Sequence, residues 1–97
     1  IHGYTLYPAE IETLLSQSGM LKESAVMAVS HAVSGDMSVA FIVPAEPEVF
    51  SLKRLRLWAR GNVADYKIPG RFVTLDQLPL NRAGKVDRMA LKASLDA

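Results

Sequence analysis

Glu23-Ser24-Ala25-Val26-Met27-Ala28-Val29-Ser30 is a run of small and β-branched residues, apolar along most of its length. Shortly after it, Ser38-Val39-Ala40-Phe41-Ile42-Val43 repeats the pattern. Both read as largely buried strands, and His31-Ala32-Val33-Ser34-Gly35-Asp36 between them is turn-forming. Strands this close in sequence pair most simply as an antiparallel hairpin, because a parallel crossover needs about a dozen residues or more. The hairpin decides the fold class, since a sheet that apolar must be covered by other elements.

The cover comes from segments with helical spacing. Upstream, Pro8 fits a first helical turn, where a missing N–H costs little. Glu10 and Glu12 stand near the positive end of the helix dipole, Ile11, Leu14 and Leu15 follow i, i+3, i+4 spacing, and Ser18-Gly19 ends the element. This predicts a helix over about residues 8–18. Downstream, Pro44-Ala45-Glu46-Pro47-Glu48 is a stiff acidic loop, and Ser51 caps a second helix with Leu52, Leu55, Trp58 and Ala59 inward. Lys53, Arg54, Arg56 and Arg60 fall mostly outside that stripe. Arg71 to Asp76 predicts a third strand, and Asp87 caps a short helix from about Arg88 to Leu95, with Met89, Leu91 and Leu95 available for docking. His2-Gly3-Tyr4-Thr5-Leu6-Tyr7 adds a short β-prone segment. The expected fold is α+β: a small two-layer domain, a three-stranded sheet packed by about three helices.

At 97 residues the chain is one small domain, and its 49% hydrophobic content suffices for one core. It contains no cysteine, which excludes a disulfide framework or thiolate zinc site and suits a reducing, cytoplasmic setting. No apolar run approaches the roughly 18 residues of a membrane span. The chain opens at Ile1, in what reads as the middle of a motif, which predicts a piece of a longer protein. Charge is uneven. Residues 1–50 carry one basic residue against six acidic ones, and residues 51–97 carry ten basic against four acidic. A basic half draws phosphates or acidic proteins towards it, although a solvated helix face accounts for several of these charges.

Common catalytic constellations are missing from the pattern. There is no phosphate-binding Gly-x-x-x-x-Gly-Lys-Ser/Thr loop and no dinucleotide fingerprint after a strand. His2 and His31 stand far apart without clear carboxylate partners, and Ser34 and Ser51 read as turn and cap residues. Glu10 and Glu12, at i and i+2, diverge around a helix and do not form a metal clamp. Lys85 is set apart by its surroundings, Pro79-Leu80-Asn81-Arg82-Ala83-Gly84-Lys85-Val86-Asp87-Arg88. An ammonium on a flexible stem suits a phosphate or carboxylate that gains charge in a transition state. Gly84 lets backbone approach a ligand, and the turn residues before it let the loop swing.

Leu78 to Arg88 resembles the C-terminal signature of the adenylate-forming ligases, the superfamily of acyl-CoA synthetases, peptide-synthetase adenylation domains and luciferase. Gly3-Tyr4-Thr5-Leu6-Tyr7-Pro8-Ala9-Glu10-Ile11-Glu12 looks like the segment that opens their small C-terminal subdomain. Asp65-Tyr66-Lys67-Ile68-Pro69 and Arg71-Phe72-Val73 look like the family's tyrosine-x-x-proline stretch and the strand after it. The resemblance covers nearly the whole chain in the right order. Two positions depart from it: Thr5 stands where arginine or lysine is frequent, and Ala83 where asparagine or threonine is.

The resemblance implies residues 1–97 as a mobile C-terminal lid whose large ATP-binding N-terminal domain is not in this sequence. That domain would bind ATP, Mg2+ and the carboxylic acid. Lys85 would be the catalytic residue, meeting the substrate carboxylate and α-phosphate during adenylation, with Gly84 beside it. After rotation of the lid, Gly3 and Tyr4 would help shape the tunnel for phosphopantetheine, carried by an acyl or peptidyl carrier protein or by CoA. The 97 residues alone are expected to be inactive. The competing reading is an autonomous basic module that grips an acidic protein or RNA. Against nucleic acid, Trp58, Tyr66 and Phe72 sit where core residues are expected, not interleaved with basic side chains as a stacking platform.

Overall fold

Sequence order along the chain is α1 (Pro8–Ser16), β1 (Leu21–His31), β2 (Gly35–Pro44), α2 (Leu52–Asn62), a 3-10 turn (Asp65–Lys67), β3 (Arg71–Thr74) and α3 (Arg88–Asp96). The computed structural model describes residues 7–31 and 35–96. The expected N-terminal β segment, with His2, Gly3, Tyr4 and Thr5, and the hairpin turn at 32–34 lie outside the described residues.

The hairpin forms as its sequence predicts. β1 and β2 are antiparallel, with Ala25 opposite Phe41, Val26 opposite Ala40 and Met27 opposite Val39. β3 then pairs in parallel with β2, Phe72 opposite Ala40 and Val73 opposite Phe41. This mixed sheet, in the order β1-β2-β3, follows from α2. The helix carries the chain back to the end where β2 began, so the next strand must run the same way. β3 is shorter than the predicted Arg71–Asp76. Leu75 still donates to the Ile42 carbonyl at 2.8 Å, and the chain bends away at Asp76.

Alternation along the strands splits the core in two. Val26, Ala40, Ile42 and Phe72 point to the face covered by Ile11 and Leu15 of α1 and Leu55 of α2. Ala25, Val39, Phe41 and Val43 point to the other face, where Leu78 and Leu91 of α3 pack. The central strand is buried on both sides, which is why its sequence is apolar without interruption from Val39 to Val43. The fold is α+β, with α1 and α2 forming the helical layer and the short α3 closing the second face.

Capping follows the expected chemistry. Ser51 Oγ accepts from Arg54 N at the start of α2, and Asp87 Oδ1 accepts from Ala90 N, at 3.0 Å, at the start of α3. Two expected core positions are instead exposed. Met89 is 84% exposed, because a residue two before Leu91 lies on the opposite side of a helix. Tyr66 is 42% exposed, in the 3-10 turn, where the Lys67 ammonium stands 5.6 Å from its ring centroid.

Candidate functional site

Lys85 sits on a small hairpin that the sequence writes almost completely. Leu78, buried against the sheet, anchors the incoming side. The Pro79 carbonyl accepts from Asp87 N at 2.8 Å, Leu80 and Val86 form an antiparallel bridge, and Asn81 N donates to the Lys85 carbonyl at 2.7 Å. Gly84 N donates back to the Asn81 carbonyl at 3.0 Å. This is a three-residue loop, Arg82-Ala83-Gly84, built as a turn followed by a left-handed residue.

Each residue type has a reason. Gly84 has φ +79, a left-handed angle that favours glycine. A Cβ added there would meet nothing within 4 Å, so it is the backbone angle that requires glycine, not a close approach to another group. Asn81 Oδ1 accepts from Ala83 N at 2.8 Å and from Lys85 N at 3.1 Å, the side-chain turn that asparagine forms more readily than most residues. The turn residues expected to let the loop swing are hydrogen-bonded to one another within the hairpin.

That side chain projects from an exposed residue, and among the described residues its ammonium has no ion-pair partner. Arg82 and Lys92 are exposed nearby in the chain, and Arg88, which opens α3, is half exposed. A solvated cation on a braced hairpin is arranged to meet an anion brought from outside the domain. Of the other expected site residues, Gly84 lies in the same hairpin, and Gly3 and Tyr4 lie outside the described residues.

Glu10 and Glu12 diverge around α1 as expected, but each finds a partner that their spacing does not reveal. Glu10 pairs with Lys67 and thereby ties the first turn of α1 to the 3-10 turn. Its hydrogen bond is the main reason the Lys67 pKa lies above the ordinary lysine value. Glu12 reaches across to β1 and α3. Its Oε2 accepts from Val26 N at 2.7 Å and from Arg88 Nη2 at 3.3 Å, and Arg88 Nη1 donates to the Val26 carbonyl at 3.1 Å. These residues are 14 to 76 positions apart, beyond any local pattern.

The family model described as the AMP-binding enzyme C-terminal domain matches residues 10–85. The chain belongs to this family. A dimodular nonribosomal peptide synthase from Bacillus subtilis is 37% identical over 93 residues, which is 96% of this chain and 4% of the synthase. A 2-succinylbenzoate–CoA ligase from Listeria monocytogenes is 39% identical over 90 residues, 93% of this chain and 19% of the ligase. The solved structure of ATP-bound MatB from Rhodopseudomonas palustris superposes with a TM-score of 0.82 at 29% identity, covering 95% of this chain and 18% of MatB. The chain thus spans less than a fifth of each relative. Membership of this family bears out the reading as a C-terminal subdomain of the adenylate-forming superfamily, and the free-standing binding module finds no support among these relatives. Among the described residues no helix is long and apolar enough to cross a membrane.

Proposed function

We propose that this AMP-binding enzyme C-terminal domain is the moving lid of a cytoplasmic ligase that works in two steps. First, an oxygen of a carboxylic or amino acid attacks the α-phosphorus of ATP, forming the acyl-adenylate and releasing pyrophosphate. Then a phosphopantetheine sulfur, on a carrier protein or CoA, attacks the acyl carbon and AMP leaves. The observation that carries the reading is the Lys85 ammonium, unpaired among the described residues and presented on a braced, exposed hairpin.

Lys85 acts in the first step. Its charge meets the oxygens of the carboxylate and α-phosphate as negative charge gathers between them, and the hairpin supplies that charge already positioned. ATP and Mg2+ are held mainly by a large N-terminal domain. Among the described residues no three His, Asp or Glu side chains gather to hold a metal. In the second step the lid turns, and Gly3 and Tyr4 line the path of the pantetheine arm. A carrier protein is the favoured thiol donor, since Lys53, Arg54, Arg56 and Arg60 stand exposed on α2, and a basic helix suits an acidic partner.

The test uses the full-length ligase. Lys85→Ala is expected to lower the rate of pyrophosphate exchange by about 10²–10³-fold, the usual loss when one transition-state electrostatic contact is removed. Thioester formation from preformed acyl-adenylate should stay within about 3-fold of wild type, because that step does not use the lysine. Exchange at the wild-type rate would end the assignment. Gly3→Leu should show the reverse pattern.

A further inference from the structure

We propose that Glu12 and Arg88 form a clamp that sets the position of Lys85 over the adenylation site, making both of them positioning residues for the first step. The proposal rests on the assignment of Lys85 given above. Its starting point is the free edge of the sheet. In the order β1-β2-β3, β1 is an outer strand. Along an antiparallel edge strand, alternate residues turn both N–H and C=O away from the neighbour. Val26 is such a residue, and both groups are taken by side chains: the N–H by Glu12 of α1 and the carbonyl by Arg88 of α3. The two side chains also bind each other, which closes a ring over the place where another strand would add.

The clamp satisfies the backbone groups of the buried Val26, which contributes to stability, and its geometry also gives it a positional role. Arg88 is half exposed and Glu12 is 23% exposed, a setting in which an ion pair adds little to stability. A guanidinium is rigid and planar, however, and here its two terminal nitrogens bind acceptors on two different elements. That fixes where the start of α3 lies relative to α1 and β1. Arg88 is three residues beyond Lys85, and between them Asp87 N is bonded to the Pro79 carbonyl, so the hairpin and the helix start move as one piece. Leu78 holds the incoming side of this piece and the clamp holds the outgoing side. Without the clamp, Leu91 still docks α3, but the hairpin is free to shift along the β1 edge.

Such a shift is expensive for catalysis. A misplacement of about 1 Å in a positioned group can lower a rate by roughly 10²-fold. In the full-length ligase, Arg88→Ala should therefore lower pyrophosphate exchange by about 10–100-fold with KM for ATP within about 3-fold. Thioester formation from preformed adenylate should hold within about 3-fold. Arg88→Lys, which cannot span both acceptors, should not restore the rate. Glu12→Gln keeps the shape and one acceptor and should lose less, about 3–10-fold.

The deciding measurement places each change in a Lys85→Ala background. A residue that acts through Lys85 has nothing left to position there, so Arg88→Ala should add less than about 2-fold. A full additional loss in that background, or equal loss in both half-reactions, would show a merely structural role and overturn the clamp. If Lys85→Ala cripples exchange while Arg88→Lys and Glu12→Gln leave it at wild type, the clamp fails alone. If Lys85→Ala leaves exchange intact, the assignment of Lys85 fails and the clamp falls with it. Should Arg88→Ala not fold, Glu12→Gln and Arg88→Lys carry the same comparisons.

Discussion

Replacement of Leu91 by alanine is expected to be among the most damaging single changes in the last third of the chain. Leu91 is the fully buried contact of α3, 2% exposed, against Ala25, Val39, Phe41, Val43 and Leu78. Removing a buried leucine side chain costs the transfer of its carbon atoms plus the cavity left behind, about 2–5 kcal/mol. α3 is short and lies on the surface, so it can settle inward, which favours the lower part of that range, about 2–3 kcal/mol. A domain of this size has roughly 5–15 kcal/mol in all, so the loss is a large share. At about 4–8 °C per kcal/mol for a domain near this length, Tm should fall by roughly 10–20 °C. Met89→Ala supplies the control on the same helix. At 84% exposed it should change stability by no more than about 0.5 kcal/mol. Urea unfolding followed by circular dichroism reads both. Equal losses for the two variants, or a larger loss for Met89, would mean that α3 docks by a different face.

Gly84→Ala places a Cβ in open space but forces φ +79 on an L-residue, so the expected cost is about 1–2 kcal/mol, read by denaturant midpoint; Gly84→Asn should recover part of it, and equal effects would argue against the left-handed turn. Asp87→Ala removes the side-chain cap from Ala90 N and should cost about 1 kcal/mol, with Asp87→Ser recovering most of it in the same assay. The hydrogen bond from Lys67 to Glu10 raises the Lys67 pKa above 10.5. Its stabilising contribution is therefore full below that value and is lost as pH rises through the higher folded value, so the stability gap between wild type and Lys67→Met should be present at about pH 9 and shrink as pH rises above 10.5. A gap that stays constant across that range would rule out the pair as its source.

The parts of this fold that are legible in sequence are those decided within a few residues. Proline at the first turn of α1, Ser51 before α2 and Asp87 before α3 mark helix starts through local hydrogen bonding, and all three helices begin where those residues place them. The antiparallel pairing of β1 and β2 follows from the short connection between them. The parallel direction of β3 is not legible in the sequence, since it depends on the path that α2 takes back across the sheet. The exposure of Met89 and Tyr66 escapes the sequence for a related reason. In a helix of nine residues or a 3-10 turn of three, one or two apolar residues do not define a face, so only packing decides which side is covered.

The candidate site divides along the same line. Asn81 and Gly84 fold the lysine hairpin by themselves, so the shape of the loop is written next to Lys85. Its position on the domain is not. That depends on Glu12, 76 residues before Arg88, and on backbone groups of Val26 that any residue except proline would supply. Since the Val26 partner atoms are main chain, no side-chain pattern at that position could reveal the contact. The side chain of Val26 belongs to the opposite requirement, burial against α1 and α2, where it is 0% exposed. One residue of β1 therefore serves the core through its side chain and the lysine hairpin through its backbone. A change of Val26 to alanine should disturb the first far more than the second: a loss of stability of about 2 kcal/mol, with adenylation per folded molecule nearly unchanged. A variant that lost adenylation in step with Arg88→Ala while remaining as stable as wild type would break this separation.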